Sequence, residues 1–292
     1  MEQFIESYQL IKNKIPLTFR SKLRELFLNS LAAKNSILGI NEYLDIPRIQ
    51  FLYIHHSFKD ELVNLDRLLN NLSKNFTFIS YSDAVNLILQ NKIDKPYISI
   101  SSDDGFKNNL FAAEVLNKYN IKACFFINPG LIDEKNYDKI KEHCAIKLHM
   151  PPIEFLSWKE VEHLQSNGHE IGAHTMFHDN VASLTSEQLK ADLAACYNSI
   201  MIQCGEIRHF AFPYGRFHDF NAIGREAVFE NGFISCASAE RGCHINISNQ
   251  LNNSELCIRR DHIILDWPME HVNYFLVNNV KKWNQMNNYF PY

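Results

Sequence analysis

Two aspartates stand side by side in this chain, Asp103 and Asp104, after the apolar run Tyr97-Ile98-Ser99-Ile100-Ser101 and before Gly105. Adjacent carboxylates at the mouth of a buried strand repel each other, and one must take up a proton unless a cation compensates. Successive residues leaving a strand point in different directions, so one carboxylate can bind a metal while the other faces a reacting water. Asp-Asp-Gly is also ordinary turn chemistry, so the pair alone does not decide the matter. His174 and His178, four residues apart, present two imidazoles to one side of a helix-like turn. Two histidines and a carboxylate leave positions open on zinc or iron for water and substrate, which suits a catalytic site better than a structural one. His169-Glu170 opens like the metalloprotease motif H-E-x-x-H, but Ala173 occupies the position of its second histidine, and that reading fails.

Those residues need elements to hold them. Apolar runs recur along the chain, each followed by a helical pattern: 49–54, then a helix near 60–74; 97–101, then 107–119; 122–128; 170–174 after a helix over 158–167; 209–212; and 233–236 after a helix over 221–231. Thr185 with Gln188 three residues later caps a long helix over 185–203. Alternating strands and helices imply βαβ units and a parallel sheet, and six or seven such units favour closure into a distorted (β/α) barrel of about seven strands. In such barrels the chemistry sits at the C-terminal strand ends. Here those ends carry His55-His56, Asp103-Asp104-Gly105, 174–178 and Pro213-Tyr214-Gly215. The chain divides into a helical N-terminal extension (1–48, with helical spacing over 2–12 and 20–33 about Pro16), the barrel (49–270) and a helical tail (271–292).

Composition bounds the partners. With 29 Lys+Arg against 33 Asp+Glu, a net charge of −4 gives no basic field for nucleic acid. No run of about 18 apolar residues spans a membrane, and no apolar secretion signal opens the chain, so a cytoplasmic protein is expected. Seven cysteines without a C-x-x-C pair fit buried hydrophobes better than a disulfide framework or a thiolate zinc site.

Taken together, Ile98-Ser99-Ile100-Ser101-Ser102-Asp103-Asp104-Gly105, the stretch 168–178, and Phe210-Ala211-Phe212-Pro213-Tyr214-Gly215 resemble the first three motifs of the polysaccharide deacetylases. These are the NodB-homology proteins of carbohydrate esterase family 4, and the resemblance covers about residues 50–265 in the family's order. It implies a metal-dependent amide hydrolase on a distorted barrel, removing an acetyl or formyl group from an acylated amino sugar. Asp103 matches the general base, and Asp104, His174 and His178 match the ligands of one divalent ion, zinc by default. Tyr214, after Pro213, matches the residue whose backbone N–H meets the oxyanion.

The chain also departs from the family. Ser101-Ser102 replaces the usual Thr-Phe, and Ala211 stands where an arginine often precedes the motif proline, so the arginine supporting the base is sought at Arg259 or Arg260. The C-terminal Leu-x-His that supplies the general acid is missing from Ile264-Leu265-Asp266. A branch of the family takes that histidine from an early strand, which Leu52-Tyr53-Ile54-His55-His56-Ser57-Phe58 resembles. His56 then fits the acid position, with His55 the alternative one residue away. Alternation along a regular strand allows only one of the two to face the site. His244 and His262 read as loop histidines. Pro213, His55 and Arg259 are candidates for substrate contact. The expected partner is an acylated amino sugar, nucleotide- or lipid-linked, in surface-polysaccharide or glycolipid synthesis, with an oligomer left open. A binding protein on a decayed barrel, or a hydrolase of a non-sugar amide, are the competing readings.

Overall fold

The computed structural model describes residues 3–14, 28–31, 41–247, 252–283 and 288–292. Among the described residues, nine strands form one sheet: β1 (Arg48–Ile54), β2 (Thr77–Phe78), β3 (Pro96–Ser102), β4 (Cys124–Ile127), β5 (Glu170–Ala173), β6 (His209–Ala211), β7 (Ser235–Ala237), β8 (Cys257–Ile258) and β9 (Arg260–His262). Every pairing between strands is parallel, in the order β8-β7-β6-β5-β4-β3-β1-β9, with β2 alongside β3. Both ends of that path lie in one short run of chain. β8 pairs β7 through Cys236 and Cys257, β9 pairs β1 through Tyr53 and His262, and only Arg259 separates β8 from β9. The sheet therefore curls into a nearly closed barrel, as the alternation of elements implies.

Alternation decides which side chains enter it. On β1, Ile49 and Phe51 join the inner core with Phe126 and Ile258, whereas Leu52 and Ile54 join the outer core under the helices. The inner positions of β3 are Ser99 and Ser101, so the strand delivers Asp103 to the inside one step past its end. The surrounding helices are α1 (Tyr8–Lys14), α2 (Leu62–Leu72), α3 (Tyr81–Leu89), α4 (Asn109–Lys118), α5 (Tyr137–His143), α6 (Trp158–Ser166), α7 (Ser186–Cys204), α8 (Ala222–Glu230) and α9 (Met269–Lys282). Thr185 caps α7 in the expected box with Gln188, and Gly205 ends the helix at φ 72.

Three elements were not visible in the sequence pattern. α3 and α5 are short, and their starts rest on single caps, Ser80 accepting from the Asp83 N–H and Asn136 from the Lys139 N–H. The closing run Cys257–His262 carries Arg259, Arg260 and Asp261 at buried positions, a composition that reads as surface until its partners are known. The closing helix begins at Met269, ahead of the expected 271, and Val272, Leu276 and Val277 seat it in the outer core. Of the N-terminal helices, α1 and a helical turn at 28–31 are described, while Pro16, 20–27 and 32–33 lie outside the described residues. Among the described residues no helix is long and apolar enough to cross a membrane.

Gly172 on β5 marks how tightly the barrel is filled. A Cβ there would lie 2.4 Å from a ring carbon of the buried Phe126 and 3.2 Å from the Cys124 sulfur. Gly172→Ala is expected to destabilise the fold by about 1–3 kcal/mol through overpacking. An unchanged urea midpoint would contradict this packing.

Candidate active site

A cavity of about 770 Å³ opens at the C-terminal ends of the strands. Its lining includes Tyr53, His55 and His56 after β1, Asp103 and Asp104 after β3, His174 and His178 after β5, Phe212 and Tyr214 after β6, and Arg260 and His262 on β9. The motif residues, spread over more than 150 positions of sequence, thus share one pocket.

Asp103 and Asp104 are both buried, and the structure gives them different partners. The Arg260 guanidinium donates to both oxygens of Asp103, at 2.7 and 2.8 Å, and to Ser101 Oγ at 3.3 Å. Burial alone would weaken the charge on Arg260, but the Asp103 carboxylate outweighs it and holds the guanidinium firmly protonated. Tyr53 and Phe126 place ring faces 4.4 and 5.1 Å from that guanidinium. Of the two candidate arginines, alternation selects Arg260. Arg259 points to the other side, over the Phe217 ring at 5.3 Å, and donates to the Arg241 carbonyl. Arg259 is absent from the cavity lining, which corrects its expected place at the substrate.

Asp104 turns the other way. Its Oδ1 faces His174 Nε2 at 3.5 Å and His178 Nε2 at 3.4 Å, and is buried without a hydrogen-bond partner. His174 Nδ1 lies 2.7 Å from the Ala211 carbonyl, which can only accept, so Nδ1 carries the hydrogen and Nε2 presents its lone pair to Asp104. Lone pairs thus converge on one point. Burial opposes charge on Asp104, but the surrounding imidazoles outweigh it and hold the carboxyl well below the usual range. Among the described residues, this trio forms the one cluster of potential ligands whose donor atoms all lie within 4.8 Å of one another. The donor set fits a divalent cation with open positions.

The histidines after β1 depart from expectation. His55 lines the cavity, where Asp104, Asp103 and His174 act on it electrically. His55 Nδ1 lies 3.0 Å from His262 Nε2. His56 also lines the cavity, with its Nδ1 3.3 Å from the carboxylate of Glu61. The expectation that only one histidine could face the site is thereby corrected: β1 ends at Ile54, so regular alternation no longer constrains the following pair. His262 lies on β9 inside the cavity, which corrects its reading as a loop histidine. His244 is buried away from the cavity, accepting the Arg259 N–H on Nε2, and burial pushes its pKa down to about 3.

Tyr214 adopts φ 63 and sets its ring edge-on to His178, with centroids 4.8 Å apart. Pro213 precedes it without joining the lining, another departure from expected substrate contact. Three supporting residues escaped the sequence reading. Asn128, at the end of β4, donates to the carbonyls of His174 and Thr175, fixing a turn in which Thr175 and His178 have φ 60 and 56. Asp192 on α7 accepts the Met176 N–H in the same loop, and burial pushes its pKa up to about 6. Glu61 holds His56. Only Asn128 left a trace in the sequence, as a polar residue closing an apolar strand.

Comparison with known proteins agrees with the motifs. The polysaccharide deacetylase family model matches residues 90–229. No curated protein matches the chain. Among solved structures, the fold is similar to IcaB from Ammonifex degensii (TM-score 0.63, 17% identity, covering 79% of this chain and 97% of that one). It is similar also to the Streptococcus pyogenes deacetylase PplD (0.61, 16%, 79% and 99%). A de-N-acetylase from Aggregatibacter actinomycetemcomitans superposes comparably (0.61, 17%, 78% and 99%). At these identities the likeness concerns the fold.

Two outcomes follow from the partition of the carboxylates. Arg260→Met strands Asp103 in the interior and is expected to cost about 3–5 kcal/mol in urea unfolding. A loss under about 1 kcal/mol would show the pair to be dispensable. In equilibrium dialysis with zinc, the native chain is expected to bind one equivalent, and His178→Ala to lose at least roughly tenfold in affinity. His262→Ala serves as the comparison that keeps the ion. Full retention by His178→Ala would remove that residue from the ligand set.

Proposed function

We propose that this chain hydrolyses the N-acyl amide of an amino sugar, acetyl or formyl, with one divalent cation held by Asp104, His174 and His178. The observation that carries the reading is the division of labour within Asp103-Asp104: one carboxylate is locked to a guanidinium, the other aimed with two imidazole lone pairs at a common point. Zinc suits two imidazoles and a carboxylate, and such an ion lowers the pKa of bound water and polarises the acyl oxygen.

The chain's own groups supply the remaining steps. Asp103, fixed in a single orientation by the Arg260 fork, takes the proton of the attacking water. The Tyr214 backbone N–H is assigned to the oxygen that gains charge as the carbonyl becomes tetrahedral. His56 is assigned to protonate the departing amine. Glu61 accepts from its Nδ1, which leaves Nε2 to carry a proton to the cavity. His55 is less suited, because His262 engages its Nδ1 and burial lowers its proton affinity. An acylated sugar on a nucleotide or lipid carrier, within surface-polysaccharide or glycolipid synthesis, is the substrate class that we infer.

Asp103→Asn is expected to keep its fold and its metal and to lose at least roughly 10² in acyl release. Near-native turnover would reduce Asp103 to a turn residue. For the acid, the informative contrast is the leaving group. His56→Ala should lose roughly 10² on an N-acetyl sugar yet retain most activity on an aryl acetate, whose leaving group needs no proton. If His55→Ala shows that signature and His56→Ala does not, the assignment passes to His55.

A further inference from the structure

The cavity has a wall that the barrel does not make. The segment 3–14 leaves the body of the fold and lies across the mouth, contributing Tyr8, Gln9, Ile11 and Lys12 to the lining. It is fastened along its length. The Ile5 N–H donates to the Pro152 carbonyl at 2.9 Å, and the N–H groups of Tyr8 and Gln9 donate to the Asp60 carboxylate at 3.0 and 3.1 Å. Lys12 pairs with Asp266 at 2.7 Å. Ile5 and Ile11 are buried in a small core with Phe58, Phe106 and Phe155, and the Tyr8 ring lies 5.6 Å from that of His56.

The placement of those anchors decides the shape. Pro152 belongs to the loop after β4, whose residues Lys147–Met150 form one side of the cavity, and Asp266 follows the 263–265 side. The segment bridges the two sides past the end of β1, where a groove would otherwise run out between them. Among the described residues the cavity is a cup, walled by the ends of β1, β3, β5, β6 and β9 and by this bridge. A polymer chain needs two exits to lay an interior unit over Asp104; a cup admits a terminus.

We propose that the bridging segment makes this site specific for a terminal or single acylated amino sugar and excludes interior units of a polymer. The proposal rests on the hydrolase reading above and refines its substrate. The intact zinc-loaded chain is given N-acetylated glucosamine oligomers of one to six units, and tandem mass spectrometry locates each deacetylated unit. The expected products are modified at one end only, with kcat/KM no longer rising beyond two units. Lys12→Ala combined with Asp60→Ala, which loosens the bridge, is expected to raise interior relative to terminal deacetylation at least tenfold. Interior deacetylation by the native chain would overturn the proposal, as would an unchanged pattern in a variant whose amide-exchange protection over 5–12 has fallen. Release from no oligomer would count against the hydrolase reading instead. Calorimetry with the same series would then judge the cup: affinity constant beyond two units supports it, and affinity climbing through six refutes it.

Discussion

Two carboxylates on consecutive residues, both buried, set the terms for the whole site. Two like charges held in one buried site repel each other, before the loss of hydration is counted. The chain meets that cost by giving each carboxylate its own positive partner on a different side. Arg260 reaches Asp103 from the strand that closes the barrel, and the lone pairs of His174 and His178 define a cation position beside Asp104. Both partners come from elements far away in sequence, so the site exists only when the barrel is closed. Closure in turn depends on a strand split at Arg259, whose first half pairs with β7 and whose second half pairs with β1.

The same alternation that builds the barrel sorts its functional residues. Ile258, Arg260 and His262 face inward while Asp261 faces outward, where Gln50, Arg241 and Asn279 satisfy its buried carboxylate. A one-residue slip that set Asp261 in the place of Arg260 would leave Asp103 without a partner. Asp261 is thus a structural counterpart of Asp103: both are buried acids paired with arginine, but only one opens on the cavity.

Much of this was legible in the sequence because barrel strands announce themselves as apolar runs and their ends as sudden polar clusters. Asp103, Asp104, His174 and His178 stand at such ends, and the structure gathers them. The closing strand was less visible, since its inward residues are an arginine and a histidine whose burial is explained only by partners 157 and 207 positions away. The choice between His55 and His56 was obscured for a different reason. Period-two reasoning holds inside a strand, and β1 stops one residue too early for it to apply. Glu61 left no pattern, and segment 3–14 showed its helical spacing but not its bridging placement, because each works through contacts that only the assembled fold creates.

The proposed hydrolysis requires a cation between Asp104 and the two histidines while Asp103 acts beside it. Stripping the protein with a chelator, removing the chelator and titrating zinc back while following acetate release from an N-acetyl amino sugar tests it most directly. The account predicts negligible release without metal, then activity rising in proportion to zinc up to one equivalent per chain and no further. Undiminished release from metal-free protein, or a rise that continues to two equivalents, would contradict it.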